Sequence, residues 1–547
     1  MVKRGLLQRA PHRTSVHPEQ PAGINFFNMK LYILAAVAIV LGVWSSPTFA
    51  QNGTVEMLVD QPMECMHGFA GARRLQTAGM NQTIHLSSEN VHWGYYYSAL
   101  NPAAVVMSGE TIVVETATQH AGDDYDKMVK GDPGMEDIYK WTQNQINTPL
   151  RGRTGHGDGV HILTGPIYVC GAEAGDVLQV EIIDLEPRIN PSTGKTYGSN
   201  AATSWGYQFK AGFLDGIKRE VITIYEILRD SASNLMYAVP DYQFRYNAPA
   251  QGYVGPKTSC TDTFGLVPEA ANGIHYEWNN TGRTYRYATP IPCVNGTQTW
   301  TGYLYPGVIT SHPTGTEDYS IRGKFKVPLN FHIGNMGLAS YYPETVDSVP
   351  PAIHGGNVDD RRIGKGATMY YPVQVNGALL SLGDCHTAQG DSEFDGTAIE
   401  TSLTATLKLT LHKKGALPLK VSKLTFPLLE NANEYIVHGF NYGEYLKQLK
   451  KPSTDIYKIN NLTSAFTNTY NNTRDFMMTA FNLTEDQAIT AITVGVDFSV
   501  SQVVNGNWGM QTIIPKWMFN MSDTAPYTPK VMSGTSKIAN TTLMTSL

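Results

Sequence analysis

Thr401–His412 reads TSLTATLKLTLH. A dozen residues that alternate apolar and polar this strictly fit a β-strand buried on one face and little else. Shorter β-rich runs recur at Ala104–Thr118 (around Ser108-Gly109), Val160–Val169, Val177–Leu185, Phe325–Phe331 and Thr368–Leu382. The 51 Gly and 30 Pro are scattered rather than massed, so these strands are joined by many tight turns. Val160–Val169, the turn Gly171–Asp176 and Val177–Leu185 run strand, turn, strand, which predicts antiparallel pairing rather than βαβ winding. Helices are expected near Met135–Gln145 and over Asn482–Val494, whose N-x-x-E start resembles a cap.

At 547 residues the chain exceeds what one hydrophobic core usually organises. The expected divisions are an N-terminal extension (1–28), a signal peptide (29–50), a first β part (51–186), an elaborated region (187–328) and a C-terminal part (329–547). Hydrophobic residues make up 42% and charged residues 16%, with net charge −6. No basic stripe is present, so nucleic acid is not an expected partner.

Export is read from the N-terminal end. After Met29 and Lys30, the apolar run Leu31–Trp44 is long enough for a signal-peptide core and short for a bilayer span. Thr48-Phe49-Ala50 offers a cleavage site, which leaves no stable membrane span in the mature chain; an uncleaved signal anchor is the alternative. Nine N-x-[ST] sequons, at Asn52, Asn81, Asn279, Asn295, Asn461, Asn471, Asn482, Asn520 and Asn540, fit a secretory glycoprotein. Of five cysteines, Cys260 and Cys293 bracket a Gly-, Asn- and Thr-rich stretch and are the expected disulfide.

Chemistry concentrates between His354 and Glu400. His354-Gly355-Gly356-Asn357-Val358-Asp359, Gly383-Asp384-Cys385-His386, Gln389-Gly390-Asp391-Ser392-Glu393 and Glu400 set ionisable side chains beside glycines, where the chain turns sharply. If the strand entering Gly383 stays extended, Asp384 and His386 share one face. Imidazole and carboxylate are good zinc ligands, and His354 and Asp359 complete a candidate metal set. Glu393 is the candidate base, with Asp391 and Glu400 as further candidate catalytic carboxylates. The bland readings are a turn-stabilising Asp-His pair, and surface pairing of Asp359 and Asp360 with Arg361 and Arg362. Cys385 points away from His386 in a strand, so it is read as a buried structural thiol rather than a nucleophile.

The run YPVQVNGALLSLGDCHTAQGDSEFDGTAIE, Tyr371–Glu400, resembles the signature of the acetamidase/formamidase family. HGGNVD (His354–Asp359), HIGNMGLA (His332–Ala339) and GPIYVCGAEAGDVLQVEI (Gly165–Ile182) match in the same order. Cys385 and Ser392 depart from the small residues, often Gly, common there, and the stretch 187–328 matches poorly.

The resemblance implies a mainly β, sandwich-like (jelly-roll-like) core with smaller α+β portions. It implies hydrolysis of small linear amides to ammonia and a carboxylate, and homo-oligomers. A divalent metal, zinc by its ligands, activates water in this reading, with Glu115, His161, Asn357 and Gln389 lining the site. Rival readings are a binding module on the same fold and a hydrolase of a larger amide suited to the 187–328 region.

Overall fold

The strand expected at 401–412 forms as Leu403–His412, with Leu403, Ala405, Leu407 and Leu409 all turned into the core. The structure is a computed structural model that describes residues 82–139, 159–203, 205–214, 220–229, 236–246, 317–343, 345–449 and 459–520, with Cys65 and the backbone of short strands between 274 and 298. Leu403–His412 lies inside a nine-stranded sheet, flanked by Thr111–Glu115 and Val177–Pro187. The sheet continues through Thr368–Pro372, Leu428–Glu430, Glu434–Phe440 and Gly509–Pro515 to Asp497–Gln502.

A second, eleven-stranded sheet is built around Leu380–Ala388, which pairs with His332–Gly337, Ile162–Val169 and Ile399–Thr401. Inward residues of the two sheets form one cluster, with Leu178, Val180, Leu407 and Leu409 meeting Ile167, Ile333, Leu380, Leu382 and Cys385. The fold is therefore mainly β, two large sheets over a shared apolar core. Burial of that core is the main source of its stability.

The pairing expected across Gly171–Asp176 does not form. Ile162–Val169 belongs to the second sheet and Val177–Pro187 to the first, so this turn carries the chain from one sheet to the other. Gly171 and Gly175 take φ of 75° and 95°, and the Asp176 side chain accepts from the backbone N–H of Glu173 and Lys414. The local pattern could not tell a hairpin from an arch, because both need a tight turn between two strands.

Within the stretch read as elaboration, Tyr197–Ala202, Glu220–Arg229 and Met236–Tyr246 extend the second sheet beyond Ile399–Thr401. On the first sheet, helices Leu462–Ala480 and Glu485–Gly495 bury Met477, Ala488 and Ile492. The second helix starts at Glu485 rather than Asn482, because Thr484 caps it and Gln487 closes a capping box. Among the described residues no helix is long and apolar enough to cross a membrane. A disulfide joins Cys65 to Cys170 and Cys385 is free and buried, while the expected Cys260–Cys293 pairing lies outside the described residues.

Candidate active site

The strand Leu380–Ala388 turns over in its middle. Leu380 and Leu382 face the core, and so does Cys385, which reverses the even-numbered order. Its neighbour behaves alike, with Ile333 and Met336 both in the core. The switch falls where Asp384 takes φ 53° opposite Gly334, a position missing from the ladder that pairs Gly383 with Asn335 and Cys385 with Ile333. Without it Asp384 and His386 would follow Leu382 into apolar packing; with it they share the opposite face. A Cβ on Gly334 would collide with Asp359 Oδ1 and His386 Cε1, so only glycine lets the cluster sit this close to the sheet.

Five buried side chains converge there: Asp359, Asp384, His386, Glu393 and Glu400. His386 Nε2 lies 3.4 Å from Asp384 Oδ1, 3.3 Å from Glu400 Oε1 and 3.9 Å from Asp359 Oδ1. Asp384, His386 and Glu400 form one set of donor atoms within 4.8 Å of one another; Asp359, His386 and Glu393 form another. Asp359, Asp384 and Glu393 all have positive φ, at 49°, 53° and 45°. Left-handed backbone at a non-glycine costs roughly 1–3 kcal/mol per residue and concentrates at functional sites.

A second layer fixes the first. Gln119 donates through Nε2 to Asp384 Oδ1 and to Glu400 Oε2, the latter at 3.1 Å. His161 Nε2 is 3.5 Å from Asp384 Oδ2, and its Nδ1 is 2.8 Å from Ser348 Oγ. Asn505 donates to Asp359 Oδ2. His332 Nδ1 sits 2.6 Å from the Asn330 carbonyl, and its Nε2 lies 3.0 Å from His386 Nδ1. Gln389 Oε1 is 3.0 Å from the same His332 Nε2, while its amide donates to the Asp359 carbonyl. His386 Nδ1 is thus engaged by His332, and its Nε2 is the nitrogen that faces the three carboxylates.

Electrostatics follow from crowding. Burial and then the neighbouring Asp384 charge push the Asp359 carboxyl up to about 8. Burial and Asp359 raise Glu393 well above the carboxylate range, and burial and Asp384 raise Glu400. Burial works against charge at Asp384 too, but His161 and His386 outweigh it and hold that carboxyl far below its usual value. Burial opposes charge on His386, yet Glu400 and Asp384 raise it well above the ordinary imidazole value.

Several buried atoms of the cluster make no hydrogen bond: His386 Nε2, Asp359 Oδ1 and Glu393 Oε2. Buried polar atoms are almost always paired, so three unpartnered ones converging on one point mark a site for chemistry rather than for packing. A divalent cation fits it, since one imidazole nitrogen and several carboxylate oxygens are suitable donors and their repulsion needs positive charge nearby. The cluster opens on a cleft of about 60 Å³ lined by Gln119, His120, His161, Trp205, Asn357, Asp384, Glu393, Glu400 and Asn505, among others. His120 is held by Asp123 at 3.2 Å, and Ser199 donates to that same carboxylate.

The sequence expectations divide. Asp384, His386, Asp359, Glu393 and Glu400 are brought together, and His161, Asn357 and Gln389 stand around them. Three others are not. His354 is in neither donor set; it packs edge-on against Tyr96, and burial lowers its imidazole to about 4. Asp391 is held outside the cluster by Arg361 at 3.0 Å and by both terminal nitrogens of Arg362. Glu115 is tied to Arg188 and the Leu86 N–H; burial opposes its charge, but these contacts hold its carboxyl below the ordinary value. Gln119, His120, Asp123, His332 and Asn505 were missed. The available signal for the first two was their place directly after the strand Thr111–Glu115.

A sequence profile described as the acetamidase/formamidase family matches residues 86–314 and 326–521. An acetamidase from Mycolicibacterium smegmatis is 28% identical over 241 residues, 43% of this chain and 49% of that protein. A formamidase from Methylophilus methylotrophus is 27% identical over 315 residues, 53% of this chain and 62% of that one. The chain thus spans about half the length of the first relative. Among solved structures, an acetamidase from Bacillus halodurans is 19% identical with a TM-score of 0.47, the match covering 80% of this chain and 98% of that one.

Proposed function

The chain belongs to the acetamidase/formamidase family, and from that premise we propose that it hydrolyses the C–N bond of linear amides, releasing ammonia and a carboxylate. The observation that carries the reading is the set of buried, unpartnered atoms gathered at one end of the cleft. Asn357 Oδ1 and Gln119 Oε1 are two of them, both on residues lining the cleft, and are acceptors suited to an amide –NH2. Asp384, His386 and Glu400 would hold a divalent ion, and their mixed imidazole–carboxylate character suits zinc. When bound, such an ion supplies Lewis acidity toward a carbonyl oxygen and toward water.

The remaining work falls to the chain itself. Gln119 holds Asp384 and Glu400 in register, and His332 fixes the His386 ring so that Nε2 faces the cluster. Glu393 lies against Asp359, and the two buried carboxyls share a proton because both cannot ionise side by side. From the cleft wall Glu393 takes a proton from the attacking water and returns it to the departing nitrogen. The bond from water oxygen to the carbonyl carbon forms as the C–N bond breaks, and ammonia leaves.

Export is part of the same proposal. The apolar run Leu31–Trp44, the Thr48-Phe49-Ala50 site, the sequons and the Cys65–Cys170 disulfide support passage through an oxidising compartment. The test is purified protein incubated with formamide, acetamide and larger amides, with ammonia followed before and after chelation and metal content read by elemental analysis. Ammonia release that stops on chelation and returns with one added divalent ion is the expected outcome. Full turnover by metal-free protein would overturn the ion, and no turnover of any amide would overturn the hydrolase.

A further inference from the structure

Four aromatic rings stand together beside the cleft. Phe394, the residue after Glu393, stacks on Phe213 with centroids 6.2 Å apart and planes 16° apart. Tyr207 packs against Phe394 at 5.2 Å, Phe213 at 5.7 Å and Trp508 at 5.5 Å. Phe213 is 62% exposed and Phe394 43% exposed, unusual for large apolar rings already packed on one another.

The group is continuous with the active site through all three segments that build it. The first segment supplies Trp205 to the cleft, the second Glu393, Gly396 and Thr397, and the third Val504 and Asn505. The first two are sewn together by backbone bonds from Thr203 N–H to the Asp395 carbonyl and from Tyr207 N–H to the Phe394 carbonyl, both 3.0 Å. Gly396, at φ 123°, leaves room for Trp205, whose Nε1 donates to its carbonyl; a Cβ there would press on the indole at 3.0 Å. The platform is thus fixed to the loop that carries Glu393.

The cleft holds about 60 Å³, room for a few water-sized groups and so for the amide itself, and a larger acyl substituent has to extend out of it along the segments that carry the platform. Resting on the amidase reading, we infer that the amide this site is built for carries an aromatic or bulky apolar acyl substituent, which stacks on Phe213 and Phe394 while the amide reaches Glu393. Val160, Val349 and Val504 give the cleft an apolar wall for the linking carbons. Rings held in place in advance lose little freedom on binding, so their contact goes into affinity for the substituent.

The test compares acetamide with phenylacetamide, which share the reacting group and differ by one phenyl ring, in wild type and Phe213→Ala. Phe213 touches none of the reacting groups, so the acetamide rate serves as the internal control. Wild type is expected to favour phenylacetamide in kcat/KM by about tenfold or more, and Phe213→Ala to lose about tenfold on phenylacetamide with acetamide unchanged. Preference for acetamide in wild type, or equal losses on both substrates, would overturn the inference. If neither amide is turned over, the hydrolase reading fails separately. Quenching of tryptophan fluorescence by phenylacetamide then decides: saturable quenching weakened about tenfold in Phe213→Ala supports the platform, and no binding sinks it.

Discussion

Two clusters of buried charge lie next to each other in this molecule, and they are opposites. In one, Asp360 is bound by His438 at 3.0 Å and Arg362 at 3.2 Å, and Arg362 also grips Asp391. Each carboxylate there has a cation, and the Asp360 carboxyl is held at about 2: burial raises it, but His438 and Arg362 prevail. In the other, beginning one residue earlier at Asp359, four carboxyls crowd a single imidazole nitrogen and leave atoms unpartnered. The first arrangement is complete in itself and serves stability. The second needs something added, a cation, a proton or a substrate, and so serves chemistry.

The largest expected effect breaks the incomplete cluster. Asp384→Asn should lower ammonia release on the order of a thousandfold, with the bound ion lost. Because His161 and His386 hold the Asp384 carboxyl far below its usual value, the metal-free variant should also melt below wild type. A variant that keeps its ion and its rate would place the chemistry elsewhere. Next, Gly334→Ala forces His386 and Asp359 aside without touching a polar group, and should cost about a hundredfold in kcat. Circular dichroism should show the fold intact; unchanged kcat would mean the close approach is not needed.

The complete cluster should respond in the other direction. Arg362→Ala leaves Asp360 and Asp391 short of charge and should cost about 3 kcal/mol in urea unfolding. Its kcat under native conditions should stay within severalfold of wild type. Loss of activity without loss of stability would erase the distinction between the clusters. The pH dependence follows the same logic. Asp360 has a folded value below its unfolded one, so its contribution is full above about 4 and lost as pH falls toward about 2. That contribution is on the order of 2 kcal/mol, and in Asp360→Asn the acid-induced drop in stability over this window should shrink by it. Smallest is Arg361→Ala, whose half-exposed pairing with Asp391 should change stability by less than about 1 kcal/mol.

Sequence reading found the strands because burial on one face leaves a period of two, as in Leu403–His412. It found Asp384 and His386 on one face, yet for an incomplete reason. A regular strand would have sent them into the core with Leu382, and the left-handed residue that turns the pleat has no period to read. Asp391 and Glu393 are indistinguishable as letters in QGDSE; Arg361 and Arg362, thirty residues away, decide that only Glu393 is left for chemistry. His354 belongs to the same motif as Asp359 but is spent on packing against Tyr96. Gln119 and Asn505 come from distant loops with no spacing to link them to the motif. Contacts 265 and 146 residues apart are set by the meeting of the sheets.

His386 Nε2 is the atom around which the unpaired carboxylates do their work. Ammonia release from formamide and phenylacetamide by His386→Ala, compared with wild type at equal concentration of folded protein, tests this most directly. Turnover on both substrates should fall to background while the far-ultraviolet spectrum is kept. A folded variant that releases ammonia at the wild-type rate would contradict it.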